Sequence, residues 1–405
     1  KSAVQHKERE HRFEKELLPL IIQQCRAVKP YMRQGFVSIF QYLPDSLGQH
    51  LIPYIHILLP VVIHALADET EPVRDAALKA GRAVVNKYAF TALDTLLPIL
   101  EKGVFDDNWR IRQSSVQLLG DLLYLISTAG GAEDTFSRKD LSLMLQDESR
   151  SGILAALYMA RFDTNAVVRQ TATYFWKTIV VNTPKTLRQI VSTLMQTIIG
   201  CLSSSNDEKR TVASKTLGDV VDKLGERVLP QIIPSLEQGL QDQSDSNMHT
   251  RQGVCLGMAE VITSAASLQL PQFLDQLMPS LRMVLCDPLE QVRDAAGQTF
   301  DLMYRAVGNK AIDDLLPPLL TQLDSADKNQ SHLALSGLSQ MLRVRSRVLL
   351  PIIVPKLLTP PITAFNARAI GSVAEVSGTD LYSHLDTILS TLLAEASSED
   401  VLHAA

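Results

Sequence analysis

The sequence predicts an all-α protein, an α-solenoid in which helix pairs stack into a right-handed superhelix, and three observations carry that expectation. The apolar content is aliphatic: hydrophobic residues fill 46% of 405 positions while aromatics fill only 5%, a balance suited to packed helices rather than to short aromatic-rich strands. Apolar residues recur at helical spacing, as in Leu96, Leu97, Ile99 and Leu100 and again in Val116, Leu118, Leu119, Leu122 and Leu123. The third observation is an internal repeat. A basic anchor at positions 33, 74, 112, 169, 210, 251, 293 and 332 recurs at intervals of 41, 38, 57, 41, 41, 42 and 39 residues.

Four anchors share a fuller pattern. Val73-Arg74, Ile111-Arg112, Val168-Arg169 and Val292-Arg293 each follow an aspartate six residues earlier, namely Asp68, Asp106, Asp163 and Asp287. In three of the four a proline stands eight residues before that aspartate, at Pro60, Pro98 and Pro279. The half containing the proline reads as one amphipathic helix, bent by the missing N–H. A polar turn such as Asp106-Asp107-Asn108-Trp109 comes next, and then a second amphipathic helix. Neither helix of a pair can bury its stripe alone, so neighbouring pairs must complete the core. A period near 40 residues with two helices per unit resembles HEAT repeats, which implies nine or ten units across 1–405, a single array expected to be cut from a longer chain. The one long interval, from 112 to 169, places an inserted polar loop at 127–148, rich in Gly, Ser and Asp and read as a spacer or a partner-contacting loop.

The Asp68/Arg74, Asp106/Arg112, Asp163/Arg169 and Asp287/Arg293 pairs read as structure. If they face one side, each guanidinium reaches an aspartate of its own or the next turn, building a charge-assisted ladder. The looser copies Arg210 and Arg251, with Lys209 beside the first, lack the pair and are candidates to face a partner, as is His332.

Chemistry-bearing motifs are missing from the text. No glycine-rich phosphate loop, nucleophile elbow or zincin helix occurs, the nine histidines do not cluster with other ligands, and paired acids such as Asp313-Asp314 sit where helix starts want them. No enzyme activity, cofactor, metal or small-molecule substrate is expected. Cys25, Cys201, Cys255 and Cys286 lie too far apart for a zinc site and suit a reducing compartment. With no uncharged apolar run approaching a membrane span, the chain is expected to be soluble and cytoplasmic. Net charge is −5, so any nucleic-acid contact must come from a local patch.

One such patch stands out. The 47 residues from Lys328 to Ala374 contain no Asp or Glu, against about five expected from 44 acids in 405 residues, while Lys328, Arg343, Arg345, Arg347, Lys356 and Arg368 contribute +6. Arg343, Arg345 and Arg347 read as a turn that puts several guanidinium groups on one rim, which with Lys356 and Arg368 suits phosphates or an acidic surface; the alternative is a solvated face countered by acids of neighbouring units. A milder stretch runs from Lys177, Lys185 and Arg188 to Arg227, where Asp207, Glu208, Asp219, Asp222 and Glu226 offset five of eight positive charges.

Several passages are similar to a more specific family. Leu217-Gly218-Asp219-Val220-Val221, Arg251-Gln252-Gly253-Val254-Cys255, Cys286-Asp287-Pro288-Leu289-Glu290-Gln291-Val292-Arg293 and Leu350-Pro351-Ile352-Ile353-Val354-Pro355 resemble the very large ribosome-associated HEAT proteins that activate the amino-acid-starvation kinase acting on initiation factor 2α. That resemblance implies a non-catalytic scaffold binding translating or stalled ribosomes, with the starvation kinase and an ATP-binding-cassette protein as partners. It places the chain downstream of an elongation-factor-3-like part, in the C-terminal half. The alternative is a protein-only HEAT scaffold of the transport-receptor or phosphatase-scaffold kind.

Overall fold

The computed structural model describes residues 12–128, 147–225, 228–264, 270–323, 325 and 327–396, and every regular element among them is helical. The chain divides into two compact units, Lys1–Thr197 and Ile198–Ala405. The inserted segment expected at 127–148 lies outside the described residues except at its edges, where one helix ends at Thr128 and the next begins at Asp147.

The first unit opens with α1 (Leu18–Gln24), α2 (Pro30–Leu47), α3 (Ile55–Ala65) and α4 (Glu71–Tyr88). It continues through α5 (Leu93–Val104), α6 (Trp109–Thr128), α7 (Asp147–Ala160) and α8 (Ala166–Ile179) into α9 (Thr183–Leu202). Helices two apart in sequence pack side by side, α2 on α4, α4 on α6 and α6 on α8 in one layer, α3 on α5 and α5 on α7 in the other. The stripes read from the sequence meet between the layers: Leu96, Leu97, Leu100, Val116, Leu118, Leu119, Leu122 and Leu123 are all buried. Burying side chains of this size contributes roughly 1.5–3 kcal/mol each, which is why the stacked pair holds where one pair alone would not.

The second unit repeats the scheme with α10 (Asp207–Leu224), α11 (Leu229–Gln238), α12 (Met248–Ser264), α13 (Leu270–Leu285), α14 (Glu290–Val307) and α15 (Lys310–Leu323). After them come α16 (Lys328–Leu357), α17 (Ala364–Ser377) and α18 (Leu385–Ala396). One layer runs α10, α12, α14 and the start of α16; the other runs α11, α13 and α15. Pro60, Pro98, Pro234 and Pro279 lie inside helices, as the repeat pattern expects. Asn165, Asn206 and Asp327 cap α8, α10 and α16 through their side chains, satisfying N–H groups the helix itself leaves open. The closest approach is at Gly253 on α12, where an added Cβ would sit 2.0 Å from the Leu202 carbonyl oxygen, so only glycine lets these backbones pass.

Two sequence expectations need correction here. Ser46 to Ala67 contains no Asp, Glu, Lys or Arg, and the helical stretch Pro30–Ala65 around it is long and apolar enough to cross a membrane by composition. It is broken, however, by a tighter 3₁₀ segment at Gly48–Tyr54, and Val37, Phe40, Leu51, Ile55, Leu58, Leu59 and Val62 are buried against neighbouring helices. The anchor assigned to His332 also shifts by one. Ser331 donates to the Ser325 carbonyl six residues back, the geometry the arginines use, while His332 packs edge-on against Phe365.

Candidate functional site

Each inter-helix turn is built around its aspartate. Asp68, Asp106, Asp163 and Asp287 each accept the N–H two residues on, at 2.8–2.9 Å, which closes the turn. The arginine six residues on then donates Nη1 back to two carbonyls of the same turn: Arg74 to Asp68 and Glu69, Arg112 to Asp106 and Asp107, Arg169 to Asp163 and Thr164, Arg293 to Asp287 and Pro288. The guanidinium thus satisfies backbone acceptors at the end of one helix while pinning the start of the next.

The remaining guanidinium edge reaches forward at three positions. Arg33 grips Asp68 through Nε at 2.7 Å and Nη2 at 2.9 Å; Arg112 grips Asp163 at 2.6 and 3.0 Å; Arg251 grips Asp287 at 2.6 and 3.3 Å. Each is a two-pronged clasp from one repeat to the next, the geometry for which the guanidinium fork is suited. The Arg33 hydrogen bonds hold the Asp68 carboxyl below the usual carboxylate range, against the opposing effect of burial. Among the described residues no hydrogen bond or ion pair links Arg74 to Asp106. In the second unit Ser325 stands where the next aspartate would be, and among the described residues no hydrogen bond or ion pair links Arg293 to a carboxylate ahead of it.

This overturns the expectation for Arg210 and Arg251. Arg251, read as partner-facing, is 1% exposed and among the most buried large side chains; Arg210 is 7% exposed and bonds the Ser204 carbonyl and Asp207. Three extra residues separate Arg251 from Asp242, yet Nη1 still reaches the Asp242 and Ser244 carbonyls because a 3₁₀ turn at Asp245–Asn247 takes up the excess. Lys209 is half-buried.

The basic rim is also reshaped. Arg345 sits at a kink in α16, with φ −138° and ψ 46°, so the connection between helices shrinks to a single residue. Residues two apart on a helix point away from each other, and the kink redirects the chain beyond it. Arg343 therefore turns toward Glu290 and Asp294 on α14 at 3.8 and 3.6 Å, and Arg345 bonds Asp301 at 2.6 Å beneath the Tyr304 ring. Arg347 leaves in another direction to Asp380 at 3.0 Å, where Ser346 also donates; these bonds lower the Asp380 pKa. Arg343 and Arg345 thus both meet acids of α14 while Arg347 meets Asp380, so acids of neighbouring elements counter all three. Lys356 and Arg368 are exposed, and among the described residues neither forms an ion pair.

The four cysteines are free thiols, and burial pushes Cys25 up to about 12 and Cys201 and Cys286 to about 11, far from the thiolate that nucleophilic chemistry needs. Among the described residues no group of three His, Cys, Asp or Glu side chains is placed to hold a metal ion.

Comparison with known proteins gives three family matches along the chain. Residues 2–129 match the EF3 N-terminal HEAT repeat, residues 90–331 match the CLASP N-terminal family, and residues 349–404 match the HEAT repeats described as stalled ribosome sensor GCN1-like. The elongation-factor-3-like text thus falls inside the chain rather than wholly upstream of it. Across 93% of its length the chain is 46% identical to the human protein named stalled ribosome sensor GCN1 and 41% identical to the Saccharomyces cerevisiae eIF-2-alpha kinase activator GCN1. It is 45% identical over 95% of its length to Protein ILITYHIA of Arabidopsis thaliana. In each case it spans 14% of the relative's length.

Proposed function

The chain belongs to the GCN1-like family of HEAT-repeat proteins, and from that premise we propose that it is a non-catalytic arm of a cytoplasmic stalled-ribosome sensor, contacting ribosomes and helping to activate the eIF-2α kinase. The observation that carries this reading is identity sustained along nearly the whole chain to relatives named as a ribosome sensor and a kinase activator. The arrangement of charge supports a scaffold. The buried arginines serve to join repeat to repeat, the shifted carboxylates Asp68 and Asp380 are held low by arginine and hydroxyl donors, and the thiols are kept protonated. Stacked repeats joined by such clasps transmit a change of curvature from neighbour to neighbour, which is what an arm between a ribosome and a kinase needs.

In the second unit the partner-facing residues of this reading are Arg343, Arg347, Lys356 and Arg368, with Arg345 acting as a pin between helices. Glu290, Asp294 and Asp380 lie among them, a mixture of charge that also suits a protein partner, so a protein-only scaffold is the second reading. On this reading the kinase, and the ATP-binding-cassette protein that the sequence resemblance implies, are partners of a longer chain of which this is one part. Co-sedimentation with purified ribosomes tests the reading: the chain pellets with ribosomes at low salt and is released as salt rises. Absence from the ribosome pellet at low salt contradicts it.

A further inference from the structure

A second acid-free stretch is hidden by the milder basic run. Between Thr164 and Asn206 there is no Asp or Glu, while Arg169, Lys177, Lys185 and Arg188 are all basic. Arg169 is engaged with its own turn. Lys177 near the end of α8, and Lys185 and Arg188 in the first turns of α9, are exposed, and among the described residues none of the three forms an ion pair. The two helices are joined by only Val180, Val181 and Asn182, so these cations flank one tight hairpin in the first unit. The hairpin is held stiffly: Trp176 donates to the Thr183 hydroxyl at 3.0 Å, and the Asn182 side chain accepts the Lys185 N–H at 2.9 Å.

An aromatic ring accompanies the charge. Tyr174 lies one helical turn before Lys177 on the exposed stripe that runs Val167, Gln170, Tyr174, Lys177, and the residue is 66% exposed. It stands edge-on to Phe175, with centroids 5.3 Å apart, and Phe175 is itself buried over Gly120. A ring so supported and open to solvent, one turn from Lys177 on the hairpin that also carries Lys185 and Arg188, is the pairing that binds unpaired RNA: phosphates meet lysine and arginine while a base stacks on the ring.

We propose that the α8–α9 hairpin is an RNA-binding site, taking the backbone of a single-stranded or loop segment on Lys177, Lys185 and Arg188 and one base on Tyr174. This deepens the ribosome reading above by naming RNA as what this face contacts, and it rests on that reading only for the source of the RNA. An acidic protein segment could also pack on the tyrosine, but an open ring beside cations in a stretch without acids best matches a partner that repeats a phosphate and a stacking base along its length, which is why the observations favour RNA.

The test is fluorescence anisotropy of the 405-residue chain with a labelled oligouridylate of about 15 nucleotides across a salt series. Lys177→Glu/Lys185→Glu/Arg188→Glu is expected to weaken binding by about tenfold or more and to flatten the salt slope by about 2, from three lost phosphate contacts. Tyr174→Ala is expected to weaken binding about fivefold with the slope unchanged, and Tyr174→Phe to restore it. All four side chains are exposed, so circular dichroism and melting should be unaltered. RNA binding indifferent to the triple variant overturns the proposal. So does Tyr174→Ala behaving as wild type, or labelled polyglutamate binding more tightly than RNA. RNA binding without ribosome pelleting would sink the ribosome reading and leave this site standing; pelleting without RNA binding does the reverse.

Discussion

The two longest acid-free stretches of this chain, 328–374 and 164–206, differ in how their cations are met by neighbouring repeats. In the second unit, the stretch from Lys328 to Ala374 folds back onto α14 and forward onto the Gly378–His384 turn, where Glu290, Asp294, Asp301 and Asp380 meet Arg343, Arg345 and Arg347, while Lys356 and Arg368 stay exposed. In the first unit, Lys177, Lys185 and Arg188 meet no such acids among the described residues and stay exposed on a hairpin with Tyr174 beside them. A gap in acidic residues along a repeat protein is thus only half a signal. What decides its field is the charge one repeat earlier or later.

The largest effect available sets the scale for what an inter-repeat arginine does. Arg251→Ala removes the clasp on Asp287, whose side chain is 3% exposed, and leaves a buried carboxylate without its partner. Urea unfolding is expected to show a loss of about 3–5 kcal/mol, whereas Arg343→Ala, half exposed and at 3.6 Å or more from its acids, should fall within about 0.5 kcal/mol. Next, reversing Lys177, Lys185 and Arg188 should weaken ribosome or RNA binding by about tenfold or more, while reversing Arg343 and Arg347 costs only a few-fold, because neighbouring acids already cancel much of their field. Equal losses from the two variants would erase the distinction.

Two pH-dependent effects are smaller. Asp68 titrates below the ordinary carboxylate range because Arg33 bonds its charged form. The clasp therefore adds stability above about pH 4 that fades as pH falls through the lowered pKa. Asp68→Asn should cost about 1 kcal/mol at pH 7, with the gap to wild type closing in urea melts as pH falls below the ordinary carboxylate range. Glu101 on α5 runs the other way, since burial raises its pKa above that of the unfolded chain. Its charge costs stability above the raised pKa and nothing below the ordinary one. Glu101→Gln should stabilise by on the order of tenths of a kcal/mol at pH 7 and be neutral near pH 4.

The repeat was legible because its determinants are local. Asp, turn and arginine lie within seven residues, and the Asx closure and the carbonyl bonds of Arg74, Arg112, Arg169 and Arg293 arise from that spacing alone. The forward clasps were less so. Arg33 and Arg251 looked like degenerate copies, yet they make clasps while Arg74 does not, because reaching the next aspartate depends on how two turns stack rather than on spacing within one. Ser331 escaped notice for a related reason: a search for a basic anchor passes over a hydroxyl that makes the same carbonyl bond. For Arg343, Arg345 and Arg347 two readings stayed open, and the countering acids could not be located from sequence because they sit 33–53 residues away, near one repeat length. The α8–α9 hairpin was diluted by the acids that open α10, which lie close in sequence and belong to the next repeat.

The most direct measurement of whether this chain holds ribosomes through the α8–α9 hairpin is its co-sedimentation with ribosomes between about 50 and 200 mM salt. Wild type would be run beside the Lys177/Lys185/Arg188 and the Arg343/Arg347 charge-reversed forms. Steeply salt-sensitive pelleting is expected, which the first variant loses and the second largely keeps. Pelleting that survives the first reversal and disappears with the second would contradict it.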